Sequence, residues 1–334
     1  MLCTKLIDKN KFVVEEIEDL KIKEDSVLIQ VKNTGICGSD IHHWDLGFPK
    51  GLIMGHEFSG VIIDKGTSQF NVGDRVIGIP ISPCNECEFC KAGKEQLCVK
   101  TWDDTVGLTL VRNGGYASHL NSRVDLTLKL PDSVSFSEGA MIEPLSVALH
   151  AVNLAHITKG EKVLIVGGGI IGLLCAEIAK LKGASHVTLF ETNKNRGKKS
   201  LKYDKVDIMF DATNTDSINK LKNHFDKTIE CCGNEKAVNS AINSTKSGGK
   251  VILVGVSLEN IDFEAINVVK KELSVIGSIC YTKKEFIDAL KLVENKKVNV
   301  EQYIDKFINQ YEVQDSFLKL VSQDNDLIKI MIKY

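Results

Sequence analysis

The sequence predicts an α/β protein of two domains, in which a β-rich domain precedes a domain with a doubly wound parallel sheet. Three observations lead to this prediction. The chain has 334 residues, which exceeds the usual size of one domain. Up to about residue 140, short β-type runs, among them "GGYASHL", are broken by Gly, Pro and Asp, as in a barrel or sandwich. Between residues 162 and 277, six apolar strands alternate with helical stretches such as "DSINKLKNHF", as in a parallel sheet covered by helices.

The composition excludes several classes of partner. Hydrophobic residues make up 43% of the chain and charged residues 26%, which is ordinary for a globular protein. The net charge is -2, from 44 acidic and 42 basic side chains, so the charge balance indicates neither a nucleic acid nor an acidic membrane as partner. The longest apolar run, "VLIVGGGIIGLLCA", is too short to span a membrane, and no secretory signal is visible. We therefore expect a cytoplasmic protein with reduced cysteines.

A glycine motif between a strand and a helix predicts a dinucleotide site. Gly167 allows a tight turn, Gly169 lets the backbone approach a pyrophosphate, and Gly172 lets the helix pack closely on the sheet. The helix N-terminus, which includes Ile170 and Ile171, supplies amide donors and the positive end of the helix dipole.

The next strand, "HVTLF", is followed by an acidic residue that bears on the choice of cofactor. Glu191 can accept hydrogen bonds from both ribose hydroxyls and repel a 2′-phosphate, so we predict NAD rather than NADP. Arg196 and the lysines near it can weaken that repulsion, which leaves NADP as an alternative.

Four cysteines predict a structural zinc site. Cys84, Cys87, Cys90 and Cys98 follow the spacing C-x2-C-x2-C-x7-C, and a closed shell of four thiolates around zinc is structural rather than catalytic. An iron–sulfur cluster also takes four thiolates and is the alternative. The other cysteines that stand in apolar runs or alone are expected to be core residues.

A second group of ligand-type side chains stands in the segment 34–60. Cys37, His56 and Glu57 offer a thiolate, an imidazole and a carboxylate, which suits a catalytic zinc with an open coordination position. Taken alone, "GHE" is also compatible with a turn that contains a hydrogen-bonded histidine.

Seven motifs in a fixed order carry a family resemblance: "GICGSDIH", "MGHEFSGVI", "GDRV", the four-cysteine segment, "GGYASH", "EPLSVALHA" and "VGGGIIG". From about residue 25 to at least 281, the chain resembles zinc-dependent medium-chain alcohol dehydrogenases, specifically the polyol branch that includes sorbitol dehydrogenase. The resemblance implies a GroES-like catalytic domain over 1–145 with a zinc lobe at 84–98. It further implies a Rossmann domain over 146–280, a C-terminal segment 281–334 that returns to the first domain, and an active site in the cleft between the domains.

The resemblance also implies the ligands of a catalytic zinc. Cys37 and His56 would be direct ligands, and Glu57 a third ligand, either direct or through water. Glu143 of "EPLSVALHA" would lie beside the metal and either bind it or contact the substrate. The implied cofactors are therefore one catalytic zinc and one structural zinc per chain, together with NAD.

The reaction implied by the resemblance is hydride transfer from a secondary alcohol of a polyol or sugar-like molecule to NAD, giving a ketone. Ser39 would accept the proton of the substrate hydroxyl, and His42 would pass it toward solvent. Gly255 and Val256, at the end of a sheet strand, would flank the nicotinamide. The family forms dimers and tetramers, so we expect a homo-oligomer, with the tetramer favoured.

Three departures from the sorbitol dehydrogenase pattern concern the substrate pocket. His43 stands where those enzymes usually have tyrosine, Cys280 stands where they have arginine, and the loop between Cys37 and His56 is shorter. The substrate therefore stays open between a polyol, a sugar-alcohol phosphate such as galactitol phosphate, 2,3-butanediol and L-threonine. Lys50 is the nearby cation that could meet a phosphate. A non-catalytic zinc-binding protein is the alternative from another class.

Overall fold

The computed structural model describes residues 1–322 and 324–334. The chain forms two compact units. The first comprises Met1–Glu143, Tyr281–Gln323 and Lys329–Tyr334, and the second comprises Pro144–Cys280 and Asp324–Ile328. Among the described residues, no helix is both long and apolar enough to cross a lipid bilayer.

The strands of the described residues are, in chain order, β1 Leu2–Asp8, β2 Lys11–Glu16, β3 Ser26–Gly35, β4 Glu57–Asp64, β5 Arg75–Gly78, β6 His119–Arg123, β7 Thr127–Lys129, β8 Lys162–Val166, β9 His186–Glu191, β10 Ile208–Asp211, β11 Phe225–Glu230, β12 Thr245–Leu253, β13 Ser274–Gly277, β14 Ile304–Ile308 and β15 Lys329–Lys333.

The α-helices of the same residues are α1 Gly38–Leu46, α2 Glu88–Lys91, α3 Phe136–Ala140, α4 Ile142–Ala155, α5 Ile170–Leu181, α6 Lys194–Ser200, α7 Thr215–Asn219, α8 Glu235–Ser244, α9 Ala265–Lys271, α10 Lys283–Glu294 and α11 Val313–Leu320. Short 3-10 turns cover Glu95–Leu97, Val124–Leu126, Leu201–Tyr203, Glu301–Tyr303 and Gln310–Glu312.

The first unit is organised around β3. This strand pairs antiparallel with β4, β6 and β15. It belongs to a seven-stranded sheet in which six strands follow the order β14-β15-β3-β4-β5-β7, and the seventh, β6, pairs with β3 outside this order. Because side chains alternate across a strand, Val27, Ile29 and Val31 all point to one face, where they pack with Phe58 and Ile62. The sheet brings the end of β3 and the starts of β4 and β15 to the same place, since Gly35 pairs with both Glu57 and Met331.

The segment predicted as the strand "GGYASHL" is a strand only from His119 onward. Its first part, Gly114–Tyr116, instead hydrogen-bonds to the loop just before His56. The Gly115 amide donates to the Gly55 carbonyl at 2.6 Å, and the Tyr116 amide donates to the Met54 carbonyl at 2.8 Å. These bonds support the backbone from which His56 projects.

The second unit contains the predicted doubly wound sheet. Six parallel strands lie in the order β10-β9-β8-β11-β12-β13, so the chain winds outward in both directions from β8 and β11. In such sheets ligands bind at the carboxyl ends of the strands next to this reversal. Leu164, Val166, Phe190, Phe225 and Val251 are buried together in the core.

One predicted helix is shorter in the structure. The stretch "DSINKLKNHF" has helical character in sequence, but α7 ends at Asn219. Asn223 has a φ of 53°, a left-handed conformation that an α-helix cannot accommodate, and its amide donates to the Asn243 carbonyl at 3.1 Å. The tertiary contact therefore replaces the continuation of the helix.

Candidate metal and cofactor sites

The four cysteines predicted to bind a structural metal converge. The sulfur atoms of Cys84, Cys87, Cys90 and Cys98 lie within 4.8 Å of one another. Helix α2 begins directly after Cys87, which places Cys87 and Cys90 one turn apart, with their sulfurs 3.5 Å apart. The geometry is compact enough for a single tetrahedral ion.

Backbone amides prepare this group for thiolates. Hydrogen bonds from the amides of Glu86 and Cys87 lower the pKa of Cys84 to about 6. Burial and the neighbouring Cys87 thiol raise the pKa of Cys90 to about 12. Four adjacent thiols cannot all ionise without a cation between them, so the chemistry of this donor set fits zinc.

Cys37 is held at the start of a helix by its own neighbour. It is the N-cap of α1, and its backbone amide donates to Asp40 Oδ2 at 2.9 Å. This capping box fixes where the Cys37 side chain begins. Helix α1 ends at Gly47, which has a φ of 67° and accepts the left-handed conformation that closes the helix.

His56 and Glu57 complete the second group of donors. The Cys37 sulfur, a ring nitrogen of His56 and a carboxylate oxygen of Glu57 all lie within 4.8 Å of one another. His56 is 5% exposed, and its Nδ1 has no hydrogen-bond partner although it lies 3.6 Å from Asp40 Oδ1. Burial alone would lower the pKa of His56, but the negative charges of Cys37 and Asp40 outweigh it and raise that pKa. A thiol, an imidazole and a carboxylate gathered with a buried unpaired nitrogen fit a zinc ion.

Glu57 has a partner that the sequence did not reveal. Lys329, the first residue of β15, pairs its ammonium with Glu57 Oε2, and both side chains are almost fully buried. The same ammonium donates to the Ile36 carbonyl at 2.8 Å. Gly35 is required beside this pair, because a Cβ there would overlap both the Glu57 carboxylate and the Lys329 side chain.

Glu143 lies near this group but is not one of its three donors. It is in the first turn of α4 and is 7% exposed. Burial raises the pKa of Glu143 to about 7, opposed by the nearby His56 and by a hydrogen bond with Tyr281. Its direct binding to a metal therefore stays a prediction.

The residues predicted to carry protons lie on α1. Ser39 is in its first turn and is half-buried, whereas His42 is exposed. His42 lines a surface groove of ≈ 480 Å³ together with Leu318 and Val321. His43 has its Nδ1 at 3.0 Å from the Phe48 carbonyl oxygen. The relay through Ser39 and His42 stays a prediction.

The second unit carries a cavity of ≈ 950 Å³ at the carboxyl ends of its strands. Gly167, Gly168 and Gly169 line one side of the cavity, and Glu191 and Arg196 line another. Gly167 has a φ of 104°, which only glycine adopts without strain, and a Cβ on Gly172 would overlap the Gly167 carbonyl. This glycine turn and the cavity beside it fit a dinucleotide. Ile170 and Ile171 follow in the first turn of α5.

Glu191 is already heavily hydrogen-bonded. Its Oε2 accepts from the Gly168 amide at 2.8 Å, and its Oε1 accepts from the Asn193 amide at 2.8 Å. Arg196 donates to both oxygens, at 2.9 Å each. Burial raises the pKa of Glu191, but the pairing with Arg196 outweighs burial and lowers that pKa. The carboxylate therefore stays ionised, and the guanidinium of Arg196 balances its charge.

The loops that follow β11 and β12 meet at Gly233 and Gly255. Gly255 lies against the amide of Gly233, and a Cβ on Gly255 would overlap it. Glu230, which stands in no sequence motif, accepts hydrogen bonds from the amides of Cys232 at 2.6 Å and Gly233 at 2.8 Å. Val256 is exposed beside Gly255. Their contact with a nicotinamide stays a prediction.

Comparison with known proteins identifies the family. Residues 23–132 match the model of the alcohol dehydrogenase GroES-like domain, and residues 171–295 match that of the zinc-binding dehydrogenases. D-xylulose reductase A of Aspergillus niger is 35% identical over 327 residues, which cover 93% of this chain and 90% of that protein. The chain belongs to the zinc-dependent medium-chain polyol dehydrogenases.

Two solved structures share the fold of this dehydrogenase. A Sinorhizobium meliloti protein assigned to the zinc-binding dehydrogenases and bound to NADP is 26% identical, has a TM-score of 0.90, and is matched over 100% of this chain and 99% of its own. The 2R,3R-butanediol dehydrogenase of Bacillus subtilis is 27% identical, with a TM-score of 0.88 and the same coverage. The predicted GroES-like and Rossmann architecture is thereby confirmed.

A hydrogen bond behind His56 is not evident from the sequence of this polyol dehydrogenase. The hydroxyl of Tyr116 donates to Asp40 Oδ2 at 2.9 Å, and both side chains are fully buried. Burial and the Asp40 charge raise the pKa of Tyr116 well above its usual value, so the hydroxyl remains a donor. A chain of contacts therefore runs from Tyr116 through Asp40 to His56.

Replacing Tyr116 with phenylalanine is expected to weaken this arrangement. Loss of a hydrogen bond to a buried carboxylate should lower the free energy of unfolding by about 1–3 kcal/mol. Because Asp40 stands behind His56, zinc should also be retained about ten-fold less tightly. Chemical unfolding and zinc content after dialysis against a chelator measure the two effects.

Tyr334→Phe is the matched control. The hydroxyl of Tyr334 donates at 2.7 Å to a backbone carbonyl, that of Gly115, instead of to Asp40. This variant should lose stability without losing zinc. Equal zinc retention in both variants would show that Tyr116 has only a structural role.

Proposed function

We propose that the protein is a nicotinamide-dependent polyol dehydrogenase that interconverts a secondary alcohol and a ketone, with xylitol and D-xylulose as the first substrate pair to test. The observation that carries the proposal is the convergence of Cys37, His56 and Glu57 within 4.8 Å, three donors where a closed structural site would have four. The relatives named D-xylulose reductase support the substrate class.

The residues have distinct tasks in this proposal. Cys37, His56 and Glu57 would hold the catalytic zinc, and the four cysteines would hold the structural one. A zinc ion held by the first group supplies a Lewis acid that lowers the pKa of an alcohol, and a bound nicotinamide supplies the hydride acceptor. Ser39 would take up the hydroxyl proton, and the exposed His42 would release it to solvent.

We propose NAD as the preferred cofactor. The buried, ionised Glu191 at the end of β9 would accept hydrogen bonds from the ribose hydroxyls and would repel a 2′-phosphate. Arg196 makes this selection incomplete, because its guanidinium neutralises Glu191 and lines the same cavity. We therefore expect preference for NAD with measurable use of NADP.

Specific observations bear on two other substrates, one favourably and one unfavourably. The similarity to a 2R,3R-butanediol dehydrogenase makes a small vicinal diol the second candidate. A phosphorylated polyol is less well supported, because Lys50 lies 3.2 Å from Asp8 and is neutralised by it. Its ammonium has a carboxylate partner already.

A homo-oligomer and a cytoplasmic location remain part of the proposal. Three apolar side chains are exposed in one stretch of the chain: Val269 on α9, Val275 on the edge strand β13, and Ile279 just after that strand. Such exposed apolar side chains support association of subunits. None of the ten cysteines forms a disulfide, which is compatible with a reducing compartment.

Initial rates with a panel of alcohols test the proposed function. The panel contains xylitol, sorbitol, galactitol, galactitol phosphate, 2,3-butanediol, L-threonine and ethanol, each with NAD and with NADP. We expect the highest kcat/KM for a polyol with NAD. The proposal fails if the zinc-loaded protein binds NADH yet oxidises none of these alcohols, and a preference for NADP would overturn the role given to Glu191.

A further inference from the structure

The ammonium of Lys329 is buried at the edge of the proposed catalytic metal site. Its side chain is fully inaccessible to solvent, and so, within 1%, is that of Glu57. Its two hydrogen-bond acceptors are the Glu57 carboxylate and the carbonyl of Ile36, the residue before Cys37. The cation is therefore tied to both chain segments that supply metal donors.

A buried ammonium in this place needs a physical reason. Removing a charge from water is costly, and a buried ion pair is often no more stable than an apolar pair of the same size. A cation beside a metal site also repels the metal ion. Fold stability alone would be served as well by apolar side chains in place of both Lys329 and Glu57, like those of the neighbouring Ile330 and Met331.

The backbone around the pair is arranged to admit it. Gly35 pairs with Glu57 across β3 and β4, and a side chain at this position would displace the ion pair. The Ile36 amide donates to the Ile330 carbonyl at 3.1 Å, which fixes β15 against the segment leading to Cys37. The pairing of the strands thus fixes the position of the Lys329 ammonium, which does not move freely as it would on a surface side chain.

We propose that Lys329 is a positioning residue that withholds part of the Glu57 carboxylate from the metal and so keeps the three-donor site open. This inference rests on the proposed function, because an open coordination position matters only if the site binds substrate. With Lys329 paired to Oε2, Glu57 is a weakened ligand that cannot use both oxygens. Without Lys329, both carboxylate oxygens of Glu57 would be free to bind the metal.

Zinc release to a chelator tests the proposal without requiring turnover. Two release phases are expected, and the phase that is missing in Cys37→Ala belongs to the three-donor site. Lys329→Met should slow that phase about ten-fold or more, since partners of metal ligands change metal affinity about 10–100-fold. It should also lower kcat and the stability of the metal-free protein.

Controls separate the role through Glu57 from a purely structural one. Lys333→Met, which removes an exposed lysine at the other end of the same strand, should leave zinc release unchanged. Lys329→Arg keeps the charge and should stay within about two-fold of the wild type. The factor by which Lys329→Met slows zinc release should be at least about three-fold smaller in a Glu57→Gln background than in the wild type. The effects of two substitutions are not additive when the two residues interact.

Two results would overturn the proposal. One is a Lys329→Met protein that is less stable but releases zinc as fast as the wild type or faster. The other concerns Glu57→Gln, which replaces Lys329→Met as the test if Lys329→Met does not fold. If Glu57→Gln does not release zinc about ten-fold faster than the wild type, Glu57 is not a metal ligand. Slower release from Lys329→Met in a protein that oxidises no alcohol would refute the proposed function and leave the metal-site inference standing.

Discussion

Replacing Cys37 with alanine is expected to lower kcat at least about a thousand-fold, or about 4 kcal/mol of transition-state stabilisation. The variant should also contain one zinc ion per chain instead of two, because only one of the two donor groups loses a member. Steady-state rates and metal analysis by atomic absorption measure both effects. The four-cysteine group is separate and should keep its ion.

The control for this experiment is Cys175→Ala. Whereas Cys37 is half-buried, Cys175 is buried in α5, outside both donor groups. It should lose some stability and keep both zinc ions and most of its activity. Two zinc ions and an unchanged rate in Cys37→Ala would contradict the assignment of the three-donor site.

Replacing Cys90 with serine is expected to unfold the four-cysteine lobe. Helix α2 buries none of its residues, so the segment has little apolar core of its own. Structural zinc contributes about 10–16 kcal/mol in small zinc domains, and serine is a far poorer ligand than a thiolate. We expect loss of one zinc ion, a fall of about 10 °C in the unfolding midpoint, and new proteolytic cleavage within residues 84–98.

The lobe experiment also separates the two proposed metals. If Cys90→Ser keeps the fold of the first unit, the Cys37 site should still bind zinc and activity should survive in part. Full zinc content with an unchanged midpoint would show that the four cysteines are not a metal site. An iron–sulfur cluster would instead give visible absorption in the purified wild type, which the zinc assignment excludes.

The parts of the site that could be predicted from sequence are those encoded locally. Cys84–Cys98 and Gly167–Gly172 are short segments in which spacing alone fixes which side chains can meet. Alternating and helical periodicity likewise predicted the six strands of the second unit, and the structure confirms them in a doubly wound order. Local geometry determines both.

The missed residues act over long separations. Lys329 is 272 positions from Glu57, and "KIMIK" has the appearance of an ordinary strand with a lysine at its start. Tyr116 and Asp40 are 76 positions apart, and the tyrosine stands in a segment that was predicted as a simple strand. Which side chains meet in these cases depends on sheet pairing, and no pattern in a single sequence specifies it.

The position of Lys329 along the chain has a consequence for the order of events during synthesis. Cys98 follows Cys84 by 14 residues, so the lobe can close around an ion soon after it leaves the ribosome. The partner of Glu57 emerges 272 residues after it, which takes on the order of 15 to 55 s at cellular elongation rates. Until then Glu57 lacks its counter-charge. The two metals are therefore expected to enter the nascent protein at different times, the structural ion early and the catalytic ion in its final setting only after β15 has joined the sheet.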